Sequence, residues 1–170
     1  MNGPVLICYD GSEGAQTALE VAATVLAPGE AVVACYWQPF AETTRRLGVD
    51  LLELVQDAAS INDREEQLAD EVAAEGAERA RALGLEAEPR SIKIEGPIDE
   101  AILLHAESLD AAVIVLGARK RSTLRSLLVG AVSNEVLQRA TRPVLLAPPE
   151  QLANRRREEL TAERPSIASR

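Results

Sequence analysis

A three-layer α/β fold, with a five-stranded parallel sheet between helices on both faces, is predicted for this chain by three observations. Apolar runs of strand length alternate with longer segments of helical period, the pattern of repeated strand-helix units. Apolar residues make up 46 % of the 170 residues and aromatics only 2 %, so the core must come from Val, Leu, Ile and Ala, the residues of strands covered on both faces. Turn and breaker pairs fall between the runs: Asp10-Gly11, Pro28-Gly29, Gly96-Pro97 and Arg142-Pro143. The length fits one domain, residues 1–148, followed by a charged tail, residues 149–170.

The first strand is predicted over Pro4 to Tyr9, and Asp10-Gly11-Ser12 after it supplies a turn and a cap for a helix from Glu13 to Leu26. Pro28 and Gly29 close that helix, and a second strand runs from Ala31 to Trp37. Between Phe40 and Asn62 lies a dense apolar patch, Leu47, Val49, Leu51, Leu52, Leu54 and Val55. It reads either as a lid or partner-facing element or as a short helix folded over the sheet edge. Asn62 to Glu66 has the acids of a helix start, where the N-terminal dipole favours them, and that helix extends to Leu83 before Gly84. A third strand, Glu86 to Ile94, alternates as an edge or half-covered strand does. A helix from Ile98 to Leu109 then leads into a fourth strand, Ala112 to Leu116. Val132 to Ala140 has helical spacing, and Val144 to Leu146 is the fifth strand. The tail offers one helix, Gln151 to Ala162, and few apolar residues to order the rest.

The formal net charge is −9, of which the tail from Glu150 contributes +1, leaving −10 on the body. Such a body repels nucleic acid phosphates, and basic stripes with aromatic platforms are lacking, so no DNA or RNA partner is expected. No apolar run is long enough to span a bilayer and the first residues do not read as a leader, which makes a soluble, cytoplasmic protein the expectation. Cys8 and Cys35 fall in buried strands; if those strands are neighbours the thiols could lie close, and small core residues are favoured over a redox pair. One histidine, His105, precludes a site of several imidazoles. It falls on a helix with the apolar stripe Ile98, Ile102 and Leu109, as a packed or half-exposed residue. The motif of a serine nucleophile elbow is absent, so no catalytic residue and no protein metal site is assigned.

The stretch from Ala112 to Pro148 carries most of the functional signal. An apolar strand stops at Gly117, a loop with Arg119, Lys120, Arg121 and Arg125 follows, and Gly130 opens a helical segment. Strand, loop and helix in this order suit an anion, because unpaired amides in the first helical turn face it. The cationic loop reads either as part of that site or as a solvated run balancing acidic neighbours. In doubly wound sheets the ligand crevice lies beyond the strand carboxyl ends where strand order reverses. If the first and fourth strands flank that point, Asp10, Gly11, the region of Tyr36 and Gly117 to Ser133 converge.

Taken together, Asp10-Gly11-Ser12-Glu13, Gly96 to Ile102, Asp110 to Gly117 and Arg142-Pro143-Val144-Leu145 resemble the universal stress protein family. The resemblance spans Pro4 to Pro148. It implies a sheet of order 3-2-1-4-5, the adenine nucleotide alpha hydrolase-like arrangement, and homodimers paired through the last strand (Val144, Leu145, Leu146). One branch of the family binds ATP or another adenine nucleotide, with or without Mg2+. Its motif is Gly, two residues, Gly, nine residues, then Gly and Ser or Thr. Gly117 and Gly130 fill the first and third positions, Lys120 replaces the second glycine, and Ala131 replaces the hydroxyl residue. A lysine loses the glycine's backbone freedom but brings a charge, and the missing hydroxyl forfeits about 0.5–1.5 kcal/mol. Ser133 matches a second hydroxyl position, Tyr36 stands near the one whose backbone meets adenine, and Asp10 matches the ribose contact or serves as a turn residue.

The expected nucleotide-binding residues are therefore Asp10, Tyr36, Gly117, Arg119, Lys120, Gly130, Ala131, Val132 and Ser133. The function expected is a dimeric, adenine-nucleotide-binding stress and signalling module. The alternative is a relative that no longer binds nucleotide and acts through an unknown protein partner; a slow ATPase or nucleotidyl-type transferase ranks third.

Overall fold

A computed structural model describes residues 3–40, 58–118 and 130–162. Its five strands are β1 (Val5–Cys8), β2 (Glu30–Trp37), β3 (Glu86–Lys93), β4 (Val113–Gly117) and β5 (Val144–Ala147). They form one sheet of order β3-β2-β1-β4-β5 in which every neighbouring pair is parallel. The helices are α1 (Glu13–Leu26), α2 (Ala58–Ala82), α3 (Ile98–Ser108), α4 (Ala131–Arg139) and α5 (Glu150–Ala162).

Strand periodicity sorts the core into two layers. Val5, Ile7 and Tyr9 point to one face, where they pack with Ala15, Ala18, Leu19 and Ala22 of α1 and Ala77 and Ala80 of α2. Leu6 points the other way with Val32, Ile114 and Leu116, under Ile102 and Ala106 of α3 and Val136 of α4. The fold class and strand order follow the sequence expectation, with the three inner strands β2, β1 and β4 largely buried. β3 and β5 occupy the edges, and Val144, Leu145 and Leu146 of β5 are half-buried.

Two expectations need correction. Helix α2 begins at Ala58, not at Asn62, because Asn62 does not cap it: its Oδ1 accepts a hydrogen bond from the Phe40 amide at 2.8 Å, and Ala58 to Ile61 continue the helical turn. Cys8 and Cys35 do lie on neighbouring strands, but Cys8 is in register with Ala34, so alternation sends the two thiols to opposite faces of the sheet. Of the apolar patch, residues 41–57 lie outside the described residues, as do 163–170 of the tail; the tail helix is α5.

At the amino end of the sheet, Arg142 fixes the entry to β5. It donates to Glu107 at 2.9 Å, to Asp110 at 2.6 Å and to the Ala111 carbonyl at 3.2 Å, and the Thr141 hydroxyl donates to Glu107. These charged hydrogen bonds hold the Glu107 carboxyl at about 2, well below its ordinary 4.5.

Candidate functional site

At the carboxyl end of the sheet the chain leaves a cavity of about 520 Å³. β1 pairs with β2 on one side and β4 on the other, and connections from these two central strands run in opposite directions across the sheet, so the cavity lies at the topological switch point. The turn after β1 contributes Asp10 and Ser12, β2 contributes Tyr36, α3 contributes Ile98 and Ile102, and β4 ends in Leu116 and Gly117. Gly130, Ala131, Val132 and Ser133 close the ring from the start of α4.

The β1 turn is self-contained. Gly11 adopts φ +74°, a left-handed conformation that side chains disfavour. Asp10 Oδ1 accepts from the Ser12 amide at 3.1 Å, and Ser12 Oγ accepts from the Ala15 amide at 3.3 Å, capping α1. Asp10 thus acts as a turn residue at the rim of the cavity. Gly117 has a different reason to be glycine: a Cβ there would lie 2.2 Å from the Gly14 carbonyl oxygen. The first turn of α1 rests directly on the end of β4, so close helix-strand contact rather than ligand approach requires this residue.

Helix α4 starts differently. Its N-cap is Gly130, which offers no side chain, and the first helical bond runs from the Asn134 amide to the Gly130 carbonyl at 2.9 Å. The amides of Ala131, Val132 and Ser133 precede that bond and have no partner within the helix. They present partial positive charge at the cavity, a setting suited to an anion. Ser133 is only 6 % exposed yet lines the cavity, one turn inside the helix.

The opposite wall is apolar with a polar seam. Tyr36 Oη lies 2.9 Å from His105 Nδ1, and the two rings meet edge to face at 5.9 Å and 77°. Burial, then the neighbouring Cys8 thiol, raise the Tyr36 phenol. Burial pushes the Cys8 thiol up to about 12, with Asp10 adding to the rise and the Tyr36 hydroxyl opposing it, so the thiol is neutral and unreactive at ordinary pH. His105 is lowered, first by burial and then by the Arg90 charge. Among the described residues no group of three or more His, Cys, Asp or Glu side chains is placed to hold a metal ion, and no helix is long and apolar enough to cross a membrane.

The model of the universal stress protein family matches residues 1–148. The chain belongs to the universal stress protein family. A universal stress protein of Thermus aquaticus is 32 % identical over 144 residues, which cover 84 % of this chain and 96 % of that protein. Among solved structures, a universal stress protein in complex with cAMP superposes with a TM-score of 0.59 at 20 % identity, covering 88 % of this chain and 98 % of its own. That of Archaeoglobus fulgidus in complex with dAMP gives 0.57 at 21 % identity, covering 86 % and 99 %. At these identities the two structures speak for the fold.

Within this universal stress protein fold, the residues singled out in the sequence fall in one place. Asp10, Tyr36, Gly117, Gly130, Ala131, Val132 and Ser133 all line the cavity. Arg119 and Lys120, with the rest of the cationic loop, lie outside the described residues. Sequence reasoning missed Ile98, Ile102 and Leu116 as lining residues and the bond between Tyr36 and His105. The stripe Ile98, Ile102, with His105 one turn further on, was the signal available for the α3 wall; nothing local to Tyr36 announces its partner 69 positions away.

Proposed function

We propose that the cavity binds an adenine nucleotide and that the protein is a cytoplasmic binding and signalling module, not an enzyme. The observation that carries this reading is the α4 start, where three successive amides face a cavity whose far wall is formed by Tyr36, Ile98 and Ile102. Such a site offers phosphate oxygens a positive helix end and offers a base an apolar surface. The cAMP and dAMP complexes of the two structural relatives support adenine nucleotides as the ligand class. Asp10, at the rim, is the candidate ribose contact, and Mg2+ would accompany the phosphates. The working form is proposed as a homodimer paired through the β5 edge, where Val144, Leu145 and Leu146 stand half-buried.

Calorimetric titration with ATP, ADP and AMP tests the reading, and no heat up to millimolar ligand would sink it. Ala131→Ser restores the family's hydroxyl at the first helical position and is expected to gain about 0.5–1.5 kcal/mol of affinity, the worth of one neutral hydrogen bond. A second reading rests on that same alanine: with Ala131 at the start of α4 and Lys120 in the motif, the chain would act through a protein partner instead of a nucleotide. Binding that emerges only in the double variant Lys120→Gly, Ala131→Ser would favour it.

A further inference from the structure

Helix α3 carries Ile98, Ile102 and His105 on one face, at the spacing of successive turns. The two isoleucines line the cavity, and His105 reaches past it to the Tyr36 hydroxyl at 2.9 Å, while the Tyr36 ring itself is part of the cavity wall. We propose that His105 is a positioning residue for this cavity: as a neutral imidazole it accepts the Tyr36 hydrogen bond through Nδ1 and holds the wall, so that occupancy is linked to one proton. The inference rests on the nucleotide reading for its ligand and on the Tyr36–His105 geometry for its mechanism.

The surroundings decide the direction of the linkage. Facing His105 from β2 is the Tyr36 phenol, from β1 the Cys8 thiol beyond that phenol, and from β3 the positive charge of Arg90, itself paired with Glu88 at 3.0 Å. The nearby acids are engaged elsewhere: Asp99 of α3 pairs with Arg139 of α4 at 3.0 Å, and Glu107 with Arg142 at 2.9 Å. Among the described residues no carboxylate is thus left to pair with the imidazolium. Burial and Arg90 both oppose the charged ring. Once Nδ1 is protonated it turns from acceptor to donor, so its bond to the Tyr36 oxygen reverses and the phenol O–H must turn to the Cys8 sulfur, a weak acceptor. Tyr36 thereby exchanges a good acceptor for a poor one, and its hold in the wall weakens. A ligand that buries the wall further favours the neutral ring, so acid weakens binding and binding resists protonation.

The test uses the full chain and AMP as probe, with Tyr36→Phe and His105→Gln as variants. Between about pH 7.5 and about pH 5.5, AMP affinity of the unmodified protein should fall about fivefold more than that of His105→Gln, within the tenfold that one pKa unit of linkage supplies. The ionisation of AMP itself is common to both proteins and cancels. Because the chain holds one histidine, its imidazole resonance is assigned by count. Without ligand, its titration midpoint should rise in Tyr36→Phe, and in the unmodified protein the Tyr36 ring signals should follow the imidazole's midpoint. Equal pH slopes in the two proteins, or an imidazole midpoint unmoved in Tyr36→Phe, would overturn the proposal. If AMP fails to bind at any pH, the nucleotide reading falls, and the imidazole comparison alone decides whether His105 and Tyr36 act as a unit.

Discussion

Two helices begin beside the same cavity, α1 after β1 and α4 after β4, and they finish their amino ends in opposite ways. Helix α1 is sealed by its own chain: Ser12 Oγ takes the Ala15 amide, Asp10 takes the Ser12 amide, and Gln16 Nε2 donates to the Gly11 carbonyl at 3.1 Å. Helix α4 is capped by a glycine with no side chain to give. An intrinsic cap stabilises a helix by about 1 kcal/mol, so leaving α4 without one forgoes that contribution unless something else meets its amides. On the proposed nucleotide reading, the difference makes α1 scaffold and α4 the side that would receive the ligand, although both sit at the carboxyl edge of neighbouring inner strands.

The largest effect should come from destroying the contact that places the two helix starts relative to each other. In Gly117→Ala the new Cβ meets the Gly14 carbonyl oxygen at 2.2 Å, and Gly14 in turn has the Ala118 carbonyl oxygen 2.8 Å from its own Cβ position. Backbone blocks backbone here, so no rotamer relieves the clash. Overpacking of this kind costs about 3 kcal/mol, the upper part of its usual range. Denaturant titration should show that loss; a midpoint within experimental error of the parent would mean that α1 rides on β4 less tightly than its geometry states.

Next in size is the variant that makes α4 resemble α1. Gly130→Asp supplies a side-chain cap and a negative charge at the mouth of the amide cluster. Unliganded stability should rise by about 0.5 kcal/mol, while nucleotide affinity falls at least about tenfold, since the carboxylate both occupies the amides and repels phosphate. Affinity retained in this variant would place the phosphates away from α4. The reciprocal change, Ser12→Ala, strips the α1 cap and should cost about 1 kcal/mol of stability, with a far smaller change in affinity under conditions where the variant stays folded, since Ser12 Oγ is taken up by the Ala15 amide. An affinity loss as large as that of Gly130→Asp would erase the distinction between the two helices.

How much of this was legible in the sequence divides along the same line. Strand order, layers and the ring of cavity residues from Asp10 to Ser133 could be read because strand ends, Asp10-Gly11-Ser12 and the Gly117 to Gly130 spacing are local signals, assembled through the family resemblance. The reason for Gly117 could not, since a glycine facing a ligand and a glycine facing another backbone look alike in one dimension. The α2 start was misplaced because Asn62 resembles a cap, while its real partner, the Phe40 amide, lies 22 residues earlier. The Tyr36 to His105 bond joins a strand to a helix across 69 residues, and no periodicity encodes such a pair.

The smallest expected effect sharpens the comparison from the far end of the sheet. Glu107 is bound by Arg142 and Thr141 there, and its folded-state carboxyl stands at about 2 against 4.5 for the unconstrained group. A carboxyl lowered by folding favours the folded state above the higher value and loses that contribution as pH falls from 4.5 towards 2. Both partners are solvent-accessible, so the effect should be a modest drift, not a transition. Comparing denaturation midpoints of the parent and Glu107→Gln across that acid range should show a difference at neutral pH that shrinks steadily on acidification. It should leave the proposed near-neutral proton linkage of the cavity untouched, because from the last turn of α3 His105 meets Tyr36 whereas Glu107 meets Arg142 and Thr141. A difference that stays constant with pH would assign Glu107 a purely geometric role, and one that alters the cavity's near-neutral response would show that Glu107 and His105 are coupled through the last turn of α3.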